Sequence, residues 1–326
     1  MMTRTFPATG WTVFPMALGT ADYGARYPEE FCFRQLDQFV AGGGTLLDTA
    51  HVYSDWISGE LHRSERTLGR WLRTSGLRDS VRIVSKGAHP PLSDMRVSRV
   101  READIRQDLS EGLDMLGCGA IDLYLLHRDD PSVPVGEIVD WMDAHCASGE
   151  IRAWGVSNWT LERIRAAQEY AAAHGRRPMA CNEPMWSFAT IRKAGLGDQT
   201  LVPFDAEMHR YHCETGLGLM AYSSQAQGYF SKMASARADG TPFPPHPVYG
   251  GEENETKFAF LQDLAKKTGL TFNQLTLLFF AKQPFCAIPI AAFGSETRLA
   301  ECMAAFSDEA VAAVADAEYP LTPLLA

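Results

Sequence analysis

What the 326-residue chain lacks sets its first bounds. No stretch approaches the roughly 18 uninterrupted apolar residues of a membrane-spanning helix, and no basic stretch followed by an apolar run opens the amino terminus. The chain is therefore read as cytoplasmic, with no membrane partner expected. Positive charge is scarce as well: 30 Lys and Arg stand against 40 Asp and Glu, a net charge of −10. Phosphate backbones are gripped by clustered Lys and Arg, and with no basic stripe present nucleic acid is not an expected partner. The seven cysteines are scattered, odd in number and free of any Cys-x-x-Cys pair, which suits reduced thiols buried as small hydrophobes. No internal repeat is visible, and no composition shift or Pro/Gly linker cuts the chain. Residues 1–326 are read as one domain.

What the sequence does have is alternation. Short apolar, β-branched runs recur at 15–19, 45–48, 81–86, 121–127, 151–156, 179–182, 218–222 and 286–290. Segments of helical spacing separate them, at 31–41, 65–74, 100–116, 136–147, 160–174, 204–213 and 255–283. In the third of these Ile105, Leu109, Leu113 and Leu116 share one face. The last should break near Thr268-Gly269, because glycine stops a helix and Thr271 with Asn273 can start another. Eight strands alternating with helices predict an α/β protein with a closed parallel (β/α)8 barrel, a short N-terminal hairpin around Gly10 and extended loops on its C-terminal face; the Pro-rich stretch 241–247 is read as a surface loop. A doubly wound open sheet is the alternative. If it bound a dinucleotide it would need a Gly-x-Gly-x-x-Gly turn after its first strand, where this chain reads Gly19-Thr20-Ala21-Asp22-Tyr23-Gly24.

Catalytic groups of a parallel barrel stand at the carboxyl ends of its strands. Strand two, LLDTAHVYSD, ends in Asp48 with Tyr53 just beyond; strand three ends in Lys86 and strand four in His127. A lone tyrosine, titrating near ~10, is a poor acid at neutral pH. An ammonium beside it favours the phenolate and lowers its pKa, and a carboxylate keeps that ammonium charged and in place. Asp48, Tyr53, Lys86 and His127 together suit delivery of a proton to a carbonyl oxygen as it becomes an alkoxide. A metal-dependent barrel chemistry lacks ligands, since Asp48 and His127 come with no second histidine or carboxylate pair at metal spacing, and no metal is expected.

These residues, with Asp48-Thr49-Ala50, Ser85-Lys86 and Asp122-Leu123-Tyr124-Leu125-Leu126-His127, resemble the aldo-keto reductase superfamily. The resemblance spans nearly the whole chain, through Ser64-Glu65-Arg66-Thr67-Leu68-Gly69, Gly155-Val156-Ser157-Asn158, Tyr222-Ser223 and Arg298-Leu299-Ala300-Glu301. It implies an NAD(P)-dependent oxidoreductase that interconverts a carbonyl and an alcohol, with Tyr53 as proton donor and Asp48, Lys86 and His127 tuning or orienting it. It also implies that Ser157 and Asn158 hold the nicotinamide carboxamide and Tyr222 stacks on its ring, with Gly19, Thr20, Glu183, Ser223, Ser295, Arg298 and Glu301 completing the cofactor site. NADP(H) is expected ahead of NAD(H). Some barrels of the superfamily serve as cofactor-binding sensor subunits of membrane channels, and that is the alternative function. The resemblance leaves the oligomeric state open.

Three features depart from the family pattern. Glu183 replaces a usual glutamine; its negative charge would favour the oxidised, cationic nicotinamide. The turn 289–295 lacks the usual basic residue, leaving backbone amides, the helix start near Ser295 and Arg298 for the phosphates, while Cys302 replaces an asparagine. The stretch SDWISGELHR after Tyr53 is longer than usual and carries Trp56 and His62. With Trp159, Trp186, His51, His89 and Arg128 on neighbouring loops, Trp56 would face the substrate, and that mixture of aromatic and polar groups suits a sugar, a polyol or a keto form of one.

Overall fold

The computed structural model describes residues 1–320 and the backbone of the short strand Leu324–Leu325. Eight parallel strands close into a barrel: β1 (Ala17–Gly19), β2 (Leu46–Asp48), β3 (Arg82–Gly87), β4 (Ile121–Leu126), β5 (Ile151–Ser157), β6 (Cys181–Glu183), β7 (Gly218–Ala221) and β8 (Ala287–Ala291), with β8 pairing back onto β1. Each predicted strand is present with its ends within two residues of those expected.

Side chains of a strand alternate between its two faces, so each barrel strand feeds two cores. Ala17, Leu46, Val84, Leu123, Leu125, Cys181, Met220 and Ile288 fill the interior. Leu18, Leu47, Ile83, Tyr124 and Leu126 pack outward against the helices. The same alternation carries Asp48 on from Leu46, Lys86 on from Val84, His127 on from Leu125 and Glu183 on from Cys181, all on the interior side at the carboxyl end. Their convergence follows from a period of two.

The helices are α1 (Glu29–Ala41), α2 (Arg63–Ser75), α3 (Glu102–Leu116), α4 (Val135–Ser148), α5 (Leu161–His174), α6 (Ala206–Thr215), α7 (Tyr229–Ala238), α8 (Glu252–Thr268), α9 (Phe272–Ala281), α10 (Glu296–Ala304) and α11 (Asp308–Ala313). The predicted break after Thr268 is real: Gly269 takes φ 73° at the end of α8, and Thr271 caps α9 in a reciprocal pair with Gln274. Helices α7 and α11 lie outside the sequence expectation. Neither offers a long apolar stripe, and only Tyr229, Phe230 and Met233 of α7 and Ala310 of α11 are buried. The stretch 241–247 has no regular element. The predicted hairpin forms from Arg4–Phe6 and Trp11–Val13, and its Phe6 joins the interior core beside the start of β7, closing the end of the barrel away from the charged residues. Among the described residues no helix is long and apolar enough to cross a membrane.

Candidate active site

Lys86 is the hub, with 0% exposure. Its Nζ lies 2.6 Å from Asp48 Oδ1, 3.0 Å from the Thr49 carbonyl, 3.1 Å from Tyr53 Oη and 3.2 Å from Glu183 Oε1. Burial alone would strip its proton, but the Asp48 and Glu183 carboxyls outweigh burial and hold the ammonium well above the usual lysine range. Tyr53 is aimed by its own turn: its N–H donates to the Ala50 carbonyl, and Ser54 takes φ 73° while its hydroxyl donates to the carbonyls of Ala21 and Tyr23. The expectation that Lys86 lowers the Tyr53 pKa is corrected in its net result. Lys86 does pull it down, yet burial and the charges of Asp48 and Glu183 push harder, and the phenol ends above its ordinary value. The chain holds a neutral phenol.

His127 stands edge-on to Tyr53, with ring centroids 5.8 Å apart, and edge-on to His89 at 4.7 Å. Burial, then His89, Arg128 and Lys86, push its pKa well down, so the imidazole is neutral, and its buried Nδ1 has no partner among the described residues. His89 is likewise neutral: burial with Arg128 lowers it to about 4, and its Nδ1 lies 2.7 Å from the Pro90 carbonyl. Arg128 closes that side by donating to the His127 carbonyl, Thr200 and Asp198.

Across the mouth, Asn158 takes φ 60°, a left-handed conformation costly for any residue with a Cβ. Its amide donates to Ser157 Oγ at 2.9 Å and accepts the Tyr222 hydroxyl at 2.7 Å, while Ser157 Oγ donates to the Glu183 carbonyl. These four thus form one network across the ends of β5, β6 and β7. Ser223 is also left-handed, and with Ala226, Gln227 and Gly228 it makes the turn after β7 rich in positive φ. A sequence of ordinary residues hides that turn, because its backbone conformation leaves no mark in residue type.

Several expected site residues are engaged within the fold itself. Trp186 is fully buried between Phe204, Phe279, Phe280 and Phe285, packing α9 against the barrel and presenting no face to the mouth. Trp159 is buried with its indole N–H on the Arg128 carbonyl. Both corrections have one cause, a large apolar ring finding more contact beneath the loops than above them. Thr20 spends its hydroxyl on the Asp48 carbonyl and Ser64, its N–H on the same Asp48 carbonyl, and its own carbonyl on Tyr23 and Ser64. Gly19 is closely packed: a Cβ there would lie 3.0 Å from the Ile290 side chain, which would have to give way by a few tenths of an ångström. His51 turns away from the mouth, its Nδ1 3.0 Å from Glu65 and its Nε2 3.2 Å from Glu111, with His62 stacked on it at 3.7 Å. Glu301 accepts from Thr271 and Asn273 at the start of α9. Trp56 does remain at the mouth, half exposed and edge-on to Tyr53 with ring centroids 6.4 Å apart. Ser295 caps α10, and Arg298 is exposed in its first turn.

Reading the sequence alone missed the row behind the site. Glu65 accepts the Ser85 hydroxyl at 2.6 Å, Asp108 accepts the Ala88 N–H at 2.8 Å and both arms of Arg99, and Ser64 links Thr49 to Thr20. Ser64, Glu65 and Ser85 stand in motifs of the resemblance without a role read from them, and the mark of Asp108 in sequence is a polar residue on an apolar helix face, between Ile105 and Leu109.

Residues 15–318 match the family model described as Aldo/keto reductase family. Protein tas of Escherichia coli (strain K12) is 28% identical over 315 residues, covering 88% of each chain. The uncharacterized oxidoreductase YrpG of Bacillus subtilis (strain 168) is 24% identical over 287 residues, 86% of this chain and 84% of that one. Norsolorinic acid reductase B of Dothistroma septosporum (strain NZE10 / CBS 128990) is 25% identical over 237 residues, 69% of this chain and 56% of that one. A closed barrel whose interior strand ends gather an acid, a lysine, a tyrosine and a histidine, matched to that family over nearly all its length, belongs to the aldo/keto reductase family of NAD(P)-dependent carbonyl reductases.

Proposed function

We propose that this oxidoreductase moves hydride between NADP(H) and the carbonyl carbon of a small aldehyde or ketone, with Tyr53 as the acid that protonates the oxygen. The observation that carries this reading is the position of Lys86 Nζ, 3.1 Å from Tyr53 Oη and paired with Asp48 at 2.6 Å in a buried site. Bound NADPH supplies the hydride. As the carbonyl oxygen gains charge, the neutral phenol gives up its proton, and the adjacent ammonium stabilises the phenolate that results. Asp48 and the Thr49 carbonyl fix the lysine so that no reorganisation is needed at that moment. His127, neutral, can add a hydrogen bond to the same oxygen without becoming the stronger acid.

The polar groups near the mouth fit a nicotinamide dinucleotide. Ser157 and Asn158 offer an amide and a hydroxyl for its carboxamide, Tyr222 a ring, and the left-handed turn 223–228 backbone N–H groups for phosphate. Arg298 is exposed for a 2′-phosphate, which supports NADP(H) over NAD(H). With Trp159 and Trp186 withdrawn into the core and Arg128 engaged by Asp198 and Thr200, the mouth keeps Trp56 as its main free aromatic surface. That weakens the case for a sugar and favours a smaller, less polar carbonyl compound.

The test follows cofactor absorbance, as oxidation of NADPH or NADH with a panel of aldehydes, ketones and aldoses, and as reduction of NADP+ or NAD+ with polyols. Turnover with NADPH on a simple aldehyde or ketone is expected. Saturable cofactor binding without turnover on any of the panel would replace the enzyme by a sensor, and tighter binding of NADH than of NADPH would reverse the cofactor preference.

A further inference from the structure

Lys86 has three N–H protons and four oxygen neighbours. Asp48, the Thr49 carbonyl and Tyr53 take its three hydrogen bonds, while Glu183 Oε1, at 3.2 Å, stands as a close fourth that the ammonium cannot also satisfy. Glu183 is 1% exposed, and its other oxygen, Oε2, is buried with no partner among the described residues. Its carboxyl also comes within hydrogen-bond reach of Asp48. Two carboxylates and one ammonium would leave an uncompensated negative charge inside the barrel, and a bare carboxylate oxygen with no donor is the costliest way to bury one. One proton on Glu183 resolves both. It neutralises the excess charge and turns the surplus acceptor into a donor toward Asp48.

We infer that Glu183 is a positioning residue that stores a proton for the reaction, holding it while the nicotinamide is reduced and neutral and passing it through Lys86 to Tyr53 as the ring becomes cationic. This rests on the functional reading above. In the balanced step the Tyr53 O–H breaks as its proton joins the substrate oxygen, and the hydride comes from the reduced nicotinamide. A Lys86 N–H proton then passes to the phenolate, and the Glu183 O–H proton passes to Lys86 Nζ. Tyr53 ends as phenol, Lys86 as ammonium, and Glu183 as a carboxylate that faces a positive ring. Solvent restores its proton when the oxidised cofactor leaves. The other ionisable groups facing Glu183 are Asp48 from β2, Lys86 from β3, Tyr53 from the turn after β2, Tyr222 after β7 and Cys181 on its own strand. Burial and then Asp48 push its pKa well up, and Lys86 opposes them without prevailing.

Calorimetric titration of NADP+ and NADPH in buffers of different ionisation enthalpy counts the protons released on binding. In the native protein NADP+ is expected to release close to one proton more than NADPH, with its affinity rising by up to about tenfold per pH unit below the Glu183 pKa. Glu183→Gln should abolish the difference, and Tyr53→Phe should keep it. Infrared difference spectra of the unsubstituted protein, oxidised complex minus reduced, should lose a protonated-carboxyl band. Equal proton counts for the two cofactor forms, or a difference that survives Glu183→Gln and disappears in Tyr53→Phe, would overturn the inference and leave the oxidoreductase reading standing. Failure of both forms to bind would remove the functional reading and the inference together.

Discussion

Two buried basic side chains, one within the segment from Asp48 to Tyr53 and one beside it, each sit among carboxyl groups. Inside the barrel Lys86 lies between Asp48 and Glu183; outside it His51 lies between Glu65 and Glu111, with Asp108 3.9 Å away. In His51, burial favours the neutral ring, yet Glu65, Asp108 and Glu111 outweigh it and raise the pKa; in the protonated ring one nitrogen donates to Glu65 and the other to Glu111. The two sites differ in what is left over. Around Lys86 a tyrosine hydroxyl and an unpartnered carboxyl oxygen remain at the mouth. Around His51 both nitrogens are engaged, Glu65 also accepts Ser85, and Glu111 also accepts Gln107. His51, His62 and Glu111 bring ligand-type atoms within 4.8 Å of one another, but the His51 nitrogens that a metal would need already serve carboxylates. Under the proposed mechanism the same local device serves proton chemistry where acceptors exceed donors, and it makes a clasp where they match.

The largest effect should come from the Lys86 side. Tyr53→Phe removes one hydroxyl and leaves the ring, so fold and NADPH affinity should persist while carbonyl reduction falls about 10²-fold or more, the usual scale of acid catalysis. Lys86→Met should lose as much, since the phenol then faces Asp48 and Glu183 with no cation beside it. The double variant should be no slower than the worse single one, because both remove one function. Steady-state kcat and NADPH titration measure both. A Tyr53→Phe enzyme with near-native kcat would make the two clusters functionally alike and move the acid to His127.

What could be read in advance follows the same line between the clusters. A strand-end residue on the interior side is fixed by a period of two, so Asp48, Lys86 and His127 could be brought together from sequence, Glu183 was placed only by resemblance and at the cofactor, and the eight-strand count gave the barrel. His51 could not be placed that way, since it lies on a turn three residues past β2, where no period decides which way a ring points. Trp159 and Trp186 failed for a related reason. Each follows a strand end, where sequence suggests an exposed aromatic, and only packing reveals the apolar space beneath the loop. The left-handed turn 223–228 was invisible because Ser223, Ala226 and Gln227 are not residues that announce positive φ.

The next effect in size belongs to the clasp and falls on stability. His51→Ala leaves Glu65 buried without its cation and removes the ring on which His62 stacks, at a cost of about 3 kcal/mol, the lower end of what breaking a buried ion pair costs. The folded pKa of His51 lies above its unfolded value of about 6.5. Its contribution is therefore complete below that unfolded value and is lost as pH rises through the folded one. Urea unfolding of both proteins across that range should show a gap that is wide in mild acid and narrows on the alkaline side. A gap that widened with pH would mean that His51 is held neutral, and the likeness to Lys86 would fail.

The smallest effect should come from the loop that joins the two clusters. Asp55 accepts the His62 N–H at 2.6 Å, His62 rests on His51, and between them Trp56 reaches over to Tyr53 with half its surface exposed. Tyr53 is already fixed by its own turn and by Lys86, so it does not need Trp56 for its position. Trp56→Ala should then leave kcat and unfolding stability within about 0.5 kcal/mol of native, as for most exposed sites. Its ring offers apolar surface to a bound carbonyl compound, worth about 1–2 kcal/mol if much of it is covered, so KM should rise roughly 5- to 30-fold for aromatic or branched substrates and less for small aldehydes. A fall in kcat with KM unchanged would show instead that the loop transmits the state of the His51 clasp to the phenol.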